Sequence, residues 1–221
     1  ISTQATPITE FKSGSFEEIK ENFGPPVPLT KIKKDKGSCG NRWGTTPLHS
    51  PDILKKYTLS YPNPGSLEKT YAPLPSGTPV KFAGKDINPR NFSRLFKDGS
   101  GTSIPQQLYG VLRAVILNLD ILNTQIFLDP NIDLQSLTIN SGYRSPIYNC
   151  RVGGEDGSLH KVAAAVDIGV PKGQERALYN LLLKLRGNGE ITKGGLSLYN
   201  TGRFKDFPFV HYDIRGVNVN W

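Results

Sequence analysis

The chain has 221 residues, 37% hydrophobic and 21% charged, with a formal net charge of +8. That length holds one large domain, or one domain with an appendage, and enough apolar material for a packed core. No unbroken apolar run of about 18 residues occurs, so no transmembrane segment is expected. The opening ISTQATPITE lacks the basic-then-apolar layout of a secretion signal, and Ile1 is read as the start of a processed or trimmed product.

Twelve of the 17 prolines fall in residues 1–90, in stretches such as PPVP, YPNPG and APLPSGTP. Proline removes a backbone donor and breaks helices. Residues 1–85 are therefore expected to form a Pro-rich, extended, turn-rich arm or accessory region, with one short helix at 15–22. KIKKDK at 31–36 reads as a solvated loop face or as attraction to an anionic polymer, the first favoured. It has no aromatic interleaving, so nucleic acid is not expected as a partner. Cys39 and Cys150 allow one disulfide or two free thiols, and their spacing does not suggest a structural zinc site. His49, in TTPLHSPD, reads as a turn or surface histidine.

The character changes after about residue 90, and a second domain is expected over residues 86–221. Ser103 with Gln106 reads as a capping box. Leu108, Val111, Leu112, Val115, Leu119 and Leu122 then recur at helical spacing. SLTIN at 136–140 reads as a strand. Residues 174–185 read as a second helix with Ala177, Leu178, Leu181, Leu182 and Leu185 on one face, closed by Gly187 and Gly189. LSLY and FVHYDIRG read as strands near the C-terminus. The fold class is α+β, helices packed on a small antiparallel sheet.

Two of the three histidines lie in strand-like apolar surroundings, each near an aspartate. In SLHKVAAAVDIGV, six residues separate His160 from Asp167, and Ala163, Ala164 and Ala165 allow a close-packed arch between them. In FVHYDIRG, strand alternation puts Phe209, His211, Asp213 and Arg215 on one face and Val210, Tyr212 and Ile214 on the other. Zinc takes imidazole nitrogen and carboxylate oxygen, and catalytic zinc sites use three protein ligands with a position left open. His160, Asp167 and His211 supply such a set.

SGYRSPIYN at 141–149, GG at 153–154, SLHKVAAAVDI and FVHYDIRG, in that order, resemble zinc D-Ala-D-Ala carboxypeptidases of the peptidase M15 type. The resemblance covers about residues 86–221 and implies a hedgehog/DD-peptidase-like domain there. It implies Zn2+ on His160, Asp167 and His211, with Arg144 steadying the oxyanion that forms on the scissile carbonyl. Ser158 and Tyr143 fall on the substrate side, although Ser158 reads equally as a turn serine. The implied activity is cleavage of peptidoglycan stem peptides at or near D-alanine by zinc-activated water, as a carboxypeptidase or an endopeptidase. The expected form is a monomer, secreted or periplasmic at the cell wall, where a Cys39–Cys150 disulfide is favoured. Two departures stand out. Relatives carry an acidic residue three positions before the last ligand, or a histidine two before it; here those positions are Pro208 and Phe209. Asp213 becomes the expected catalytic base, with Asp206 as the alternative, and Asp213 also reads as a partner that orients a ligand. Ala163 stands where glycine is common. The departures keep open a zinc-binding wall or interaction module without turnover, or the peptidase part of a phage or toxin-delivery protein.

Overall fold

The computed structural model describes residues 51–221. The expected helix at 15–22, the basic cluster at 31–36, Cys39 and His49 lie outside the described residues.

The Pro-rich portion is not uniformly extended. Pro51–Ser60 form a ten-residue helix, α1, and Leu67–Thr70 a short helix, α2, capped by the Ser66 side chain, which accepts from Lys69 N. The segment PDILKKYTLS has no interior proline. Pro51 occupies the helix start, where its missing donor costs nothing, and Asp52 complements the positive end. Beyond α2 the chain runs without regular structure to a small antiparallel hairpin of β1 (Lys81–Phe82) and β2 (Lys85–Asp86). Tyr57, Tyr61, Val80 and Phe82 are buried in the same core as the later elements.

The core is organised around α3, Tyr109–Phe127. Leu108, Val111, Leu112, Val115, Leu119 and Leu122 are all buried, as their spacing requires. By length and composition alone this helix could cross a bilayer, but its apolar side chains are largely spent on the core. The expected capping box does not form. Gln106–Leu108 make a 3-10 turn ahead of the helix, and Gln106 Nε2 instead donates to Gly65 O at 2.8 Å. Ser103 bridges to Lys97. Buried Asn118 ties α3 to the sheet: its Nδ2 donates to Ala114 O at 2.7 Å, its Oδ1 accepts from Thr192 N at 2.7 Å, and the Tyr212 hydroxyl lies 3.2 Å away.

Among the described residues, the main sheet has five strands in the order β3 (Thr138–Ser141), β4 (Ala165–Gly169), β6 (Phe209–Asp213), β5 (Gly195–Tyr199), β7 (Val219–Asn220). The first four pair antiparallel. The β5–β7 pair is parallel, which corrects the expectation of a wholly antiparallel sheet. After β6 the chain reverses near Gly216, at φ 89°, and crosses to the outer edge of β5. One reversal relative to β6 leaves β7 running with β5. Interior β4 is buried along its whole length. Helix α4 (Pro146–Arg151) follows β3. Helix α5 (Glu175–Asn188) packs on β5 and ends at Gly189 in the left-handed conformation, φ 75°.

Candidate metal centre

Register brings the site together. Asp167 on β4 pairs with His211 on β6, and Ser141 at the end of β3 pairs with Asp167 from the other side. Strand alternation in β6 works as expected: Val210, Tyr212 and Ile214 are buried at 0%, 2% and 1% exposure, while His211 is half-buried on the opposite face. His160 sits in a 3-10 turn, Leu159–Val162, that ends at Ala163 with φ 57°. This explains the glycine preference noted at that position, because left-handed backbone crowds a Cβ.

The loop after β3 is strung between two turns. Gly142 N donates to Arg94 O at 2.9 Å, Tyr143 N to Leu95 O at 3.1 Å, and Arg144 N to His160 O at 3.0 Å. A Cβ on Gly142 would lie 2.6 Å from Leu95 Cα and 2.8 Å from Arg94 O, so only glycine permits this approach. Ser145 caps α4 by accepting from Tyr148 N at 3.2 Å, and it donates its own hydroxyl to Asp98.

His160 Nε2, Asp167 Oδ1 and His211 Nδ1 face one another at separations of 3.2, 2.8 and 3.3 Å. The outer ring nitrogens decide what the inner ones are. His160 Nδ1 lies 2.6 Å from Gly142 O, which can only accept, so Nδ1 carries the proton. His211 Nε2 lies 3.3 Å from Asp213 Oδ2. Asp213 is held well below the usual carboxylate range: burial opposes this, but hydrogen bonds from His211 and Arg215 outweigh it. An ionised carboxylate accepts, so Nε2 also carries its proton. Two imidazole lone pairs and a carboxylate oxygen are left pointing inward. Three acceptors this close repel unless a cation sits among them.

The titration behaviour agrees. Burial works against charge on His211, but its bonds to Asp167 and Asp213 outweigh burial and raise it to about 9. Without metal, a proton on Nδ1 therefore bridges to Asp167. His160 is lowered, chiefly by burial. Asp167 is depressed: burial opposes this, but His160 and His211 outweigh it. The three residues form a group able to hold a metal ion. The donor set, two imidazoles and one carboxylate with their outer protons engaged, fits zinc.

Arg144 is at the same centre. Its Nη2 donates to Asp167 Oδ2, and its Nε donates to Ser141 Oγ at 2.7 Å. Asp213, fully buried, accepts from Gly195 N at 2.9 Å and from Arg215 Nη2 at 2.6 Å. It therefore meets His211 on the ring edge opposite the metal-facing nitrogen. Asp206 is largely exposed and pairs with Lys172 at 3.8 Å. Tyr143 is buried at 2% exposure as part of the core. Ser158 is half-buried at the start of the turn that carries His160. Cys150, on α4, is disulfide-bonded.

Sequence reasoning missed Gly142 O, Ser141, Arg215 and Trp221. The first two lie inside SGYRS, a motif read for its arginine. Strand alternation puts Arg215 on the His211 face but gives it no role. The Trp221 ring lies 4.7 Å from the Arg215 guanidinium and 5.5 Å from the His211 ring, brought there by the reversal near Gly216.

Residues 110–202 match the family model described as Peptidase M15. The match covers less than half of the chain and supports a peptidase M15-type family. It spans Arg144, His160 and Asp167 and stops before His211. No curated protein matches the chain, and no solved structure does.

Proposed function

We propose that this chain, for which the match over residues 110–202 supports a peptidase M15-type family, is a zinc metallopeptidase of the hedgehog/DD-peptidase fold. Its substrates in this reading are peptidoglycan stem peptides, cut at or near D-alanine. The observation that carries it is the convergence of His160 Nε2, Asp167 Oδ1 and His211 Nδ1, with Arg144 held against the same aspartate. A zinc ion held there supplies a Lewis acid that activates water at neutral pH.

The chain's own residues do the rest. Gly142 O and Asp213 hold the outer ring protons and so aim both lone pairs inward. Arg144, braced by Ser141 and Asp167, fixes a guanidinium where negative charge builds on the attacked carbonyl oxygen. Asp213 orients His211 in this reading and does not act as the base, because it lies behind the ring and Arg215 holds its carboxylate. Ser158 stays on the substrate side, and Tyr143 supports the loop from within the core. The protein works as a monomer at or beyond the cell wall, a setting that suits the disulfide at Cys150.

One observation favours a second reading, a zinc-binding wall module without turnover. Pro208 and Phe209 replace the expected acid–base positions, and Pro208 O is engaged by Val170 N at 3.3 Å. Incubating the protein with muropeptides, with zinc or with a chelator, and reading products by mass spectrometry separates the two. Zinc-dependent loss of D-alanine or opening of crosslinks supports the peptidase. One bound zinc with intact muropeptides supports the binding module.

A further inference from the structure

We propose that the half-exposed rings of Tyr199, Phe204 and Phe209 form a substrate shelf beside the metal centre, and that it seats an aliphatic side chain of the peptide residue that precedes the one carrying the scissile carbonyl. This rests on the peptidase reading of the same site. The sheet register builds the shelf. Phe209 lies two positions before His211 on β6, on the same face, and pairs across β5 with Tyr199. The two rings stack, with centroids 4.6 Å apart and planes 12° apart. Phe204 comes from the 3-10 turn Gly202–Phe204 and sets its ring roughly perpendicular to both, at 5.5 and 5.1 Å. The Arg203 guanidinium lies over the Phe204 ring at 4.7 Å. On the other flank Trp221 Nε1 donates to the Tyr199 hydroxyl at 3.3 Å, linking the band to the ring beside His211.

The position and the chemistry of the shelf both point to its occupant. Two strand positions span about 7 Å, roughly one peptide residue and its side chain. A peptide with its reacting carbonyl at the metal ligands therefore lays a neighbouring residue over Phe209. The opposite face of β6 fully buries Val210 and Tyr212, whereas these three rings stay half-exposed although the protein has a core for such residues. What the band offers is ring surface. The Tyr199 hydroxyl is engaged by Trp221, and the Asn200 amide is turned to Glu175 at 3.4 Å. Aliphatic carbon needs only that ring surface, whereas a sugar also needs polar partners for its hydroxyls, and the Tyr199 and Asn200 groups beside the rings are already engaged.

The test uses the full zinc-loaded chain and two acetylated peptides ending in D-Ala-D-Ala, identical except for glycine or norleucine before the first D-alanine. The expected result is a kcat/KM at least about tenfold higher for norleucine, the size of effect a hydrophobic contact gives in substrate selection. Phe204→Ala and Phe209→Ala should each bring that ratio toward one with zinc content unchanged. A wild-type ratio near one, or a ratio that survives in both variants, overturns the shelf. If wild type cuts neither peptide and leaves crosslinked muropeptides intact, the peptidase reading fails by itself; if it cuts neither peptide, binding decides the shelf through tryptophan fluorescence. Tighter binding of the norleucine peptide that Phe204→Ala abolishes supports the shelf; equal binding of the two peptides, or displacement of both by glycan oligomers, overturns it.

Discussion

Replacing Asp213 by asparagine separates its two possible roles. The side chain is fully buried and accepts from Gly195 N at 2.9 Å, Arg215 Nη2 at 2.6 Å and His211 Nε2 at 3.3 Å. Asparagine keeps the volume but turns one acceptor oxygen into a donor that must face one of these donors. It also removes the charge that holds the His211 proton outward. Loss of an outer partner of this kind costs about 10–100-fold in metal affinity, or about 1.4–2.8 kcal/mol. Arg215 loses a buried counter-ion as well. Its own side chain is 22% exposed, so the fold should lose about 3 kcal/mol, the low end for breaking a buried pair. Zinc affinity by competition with a chromophoric chelator, together with urea unfolding of the metal-free protein, reads both effects. If the Asp213→Asn variant binds zinc as wild type does and has lost turnover when zinc-saturated, Asp213 is the base and its assignment as the orienting group is wrong.

Three further outcomes are expected. His211 is raised to about 9 in the metal-free fold, against an unfolded value of about 6.5. Its contribution to stability is therefore fully present below pH 6.5 and is lost as pH rises through about 9. Zinc must displace that proton, so its apparent affinity should rise roughly tenfold per pH unit from pH 7 and flatten near 9; a flat profile in buffered zinc titrations contradicts this. Gly142→Ala places a Cβ against Leu95 Cα and Arg94 O, backbone atoms that cannot yield. It should lower both the melting temperature and zinc affinity, because Gly142 O holds His160, and unchanged zinc binding would uncouple the two. Ala163→Gly relieves left-handed backbone at φ 57° and should stabilise the fold by about 0.5–1 kcal/mol after the entropy glycine adds to the unfolded chain; thermal denaturation reads this, and a fall in melting temperature counts against it.

The parts of the fold and site that were legible rest on local periodicity. The α3 stripe and the two faces of β6 follow from side-chain direction alone. His160, Asp167 and His211 stand out because a polar residue in an apolar stretch needs a partner. What escaped was set by non-local contacts. Proline counts hid α1 because its prolines bracket the segment and do not interrupt it. Ser103 and Gln106 have capping spacing, but Gln106 is engaged by Gly65, 41 residues earlier in the chain. The parallel β7 and the placement of Trp221 depend on a crossover that no window of sequence encodes. At Ala163 the sequence shows only that a common glycine is absent; its φ of 57° makes the position a left-handed cap.

The central claim is that His160, Asp167 and His211 bind one zinc ion together. X-ray absorption at the zinc edge on the purified chain, wild type beside His160→Ala and His211→Ala, tests it most directly. The predicted result is one zinc per wild-type chain with two imidazole nitrogens and only nitrogen or oxygen ligands at about 2.0–2.2 Å, and no stoichiometric zinc in either variant. Zinc retained at one per chain in either variant, or sulfur in its coordination shell, would contradict the claim.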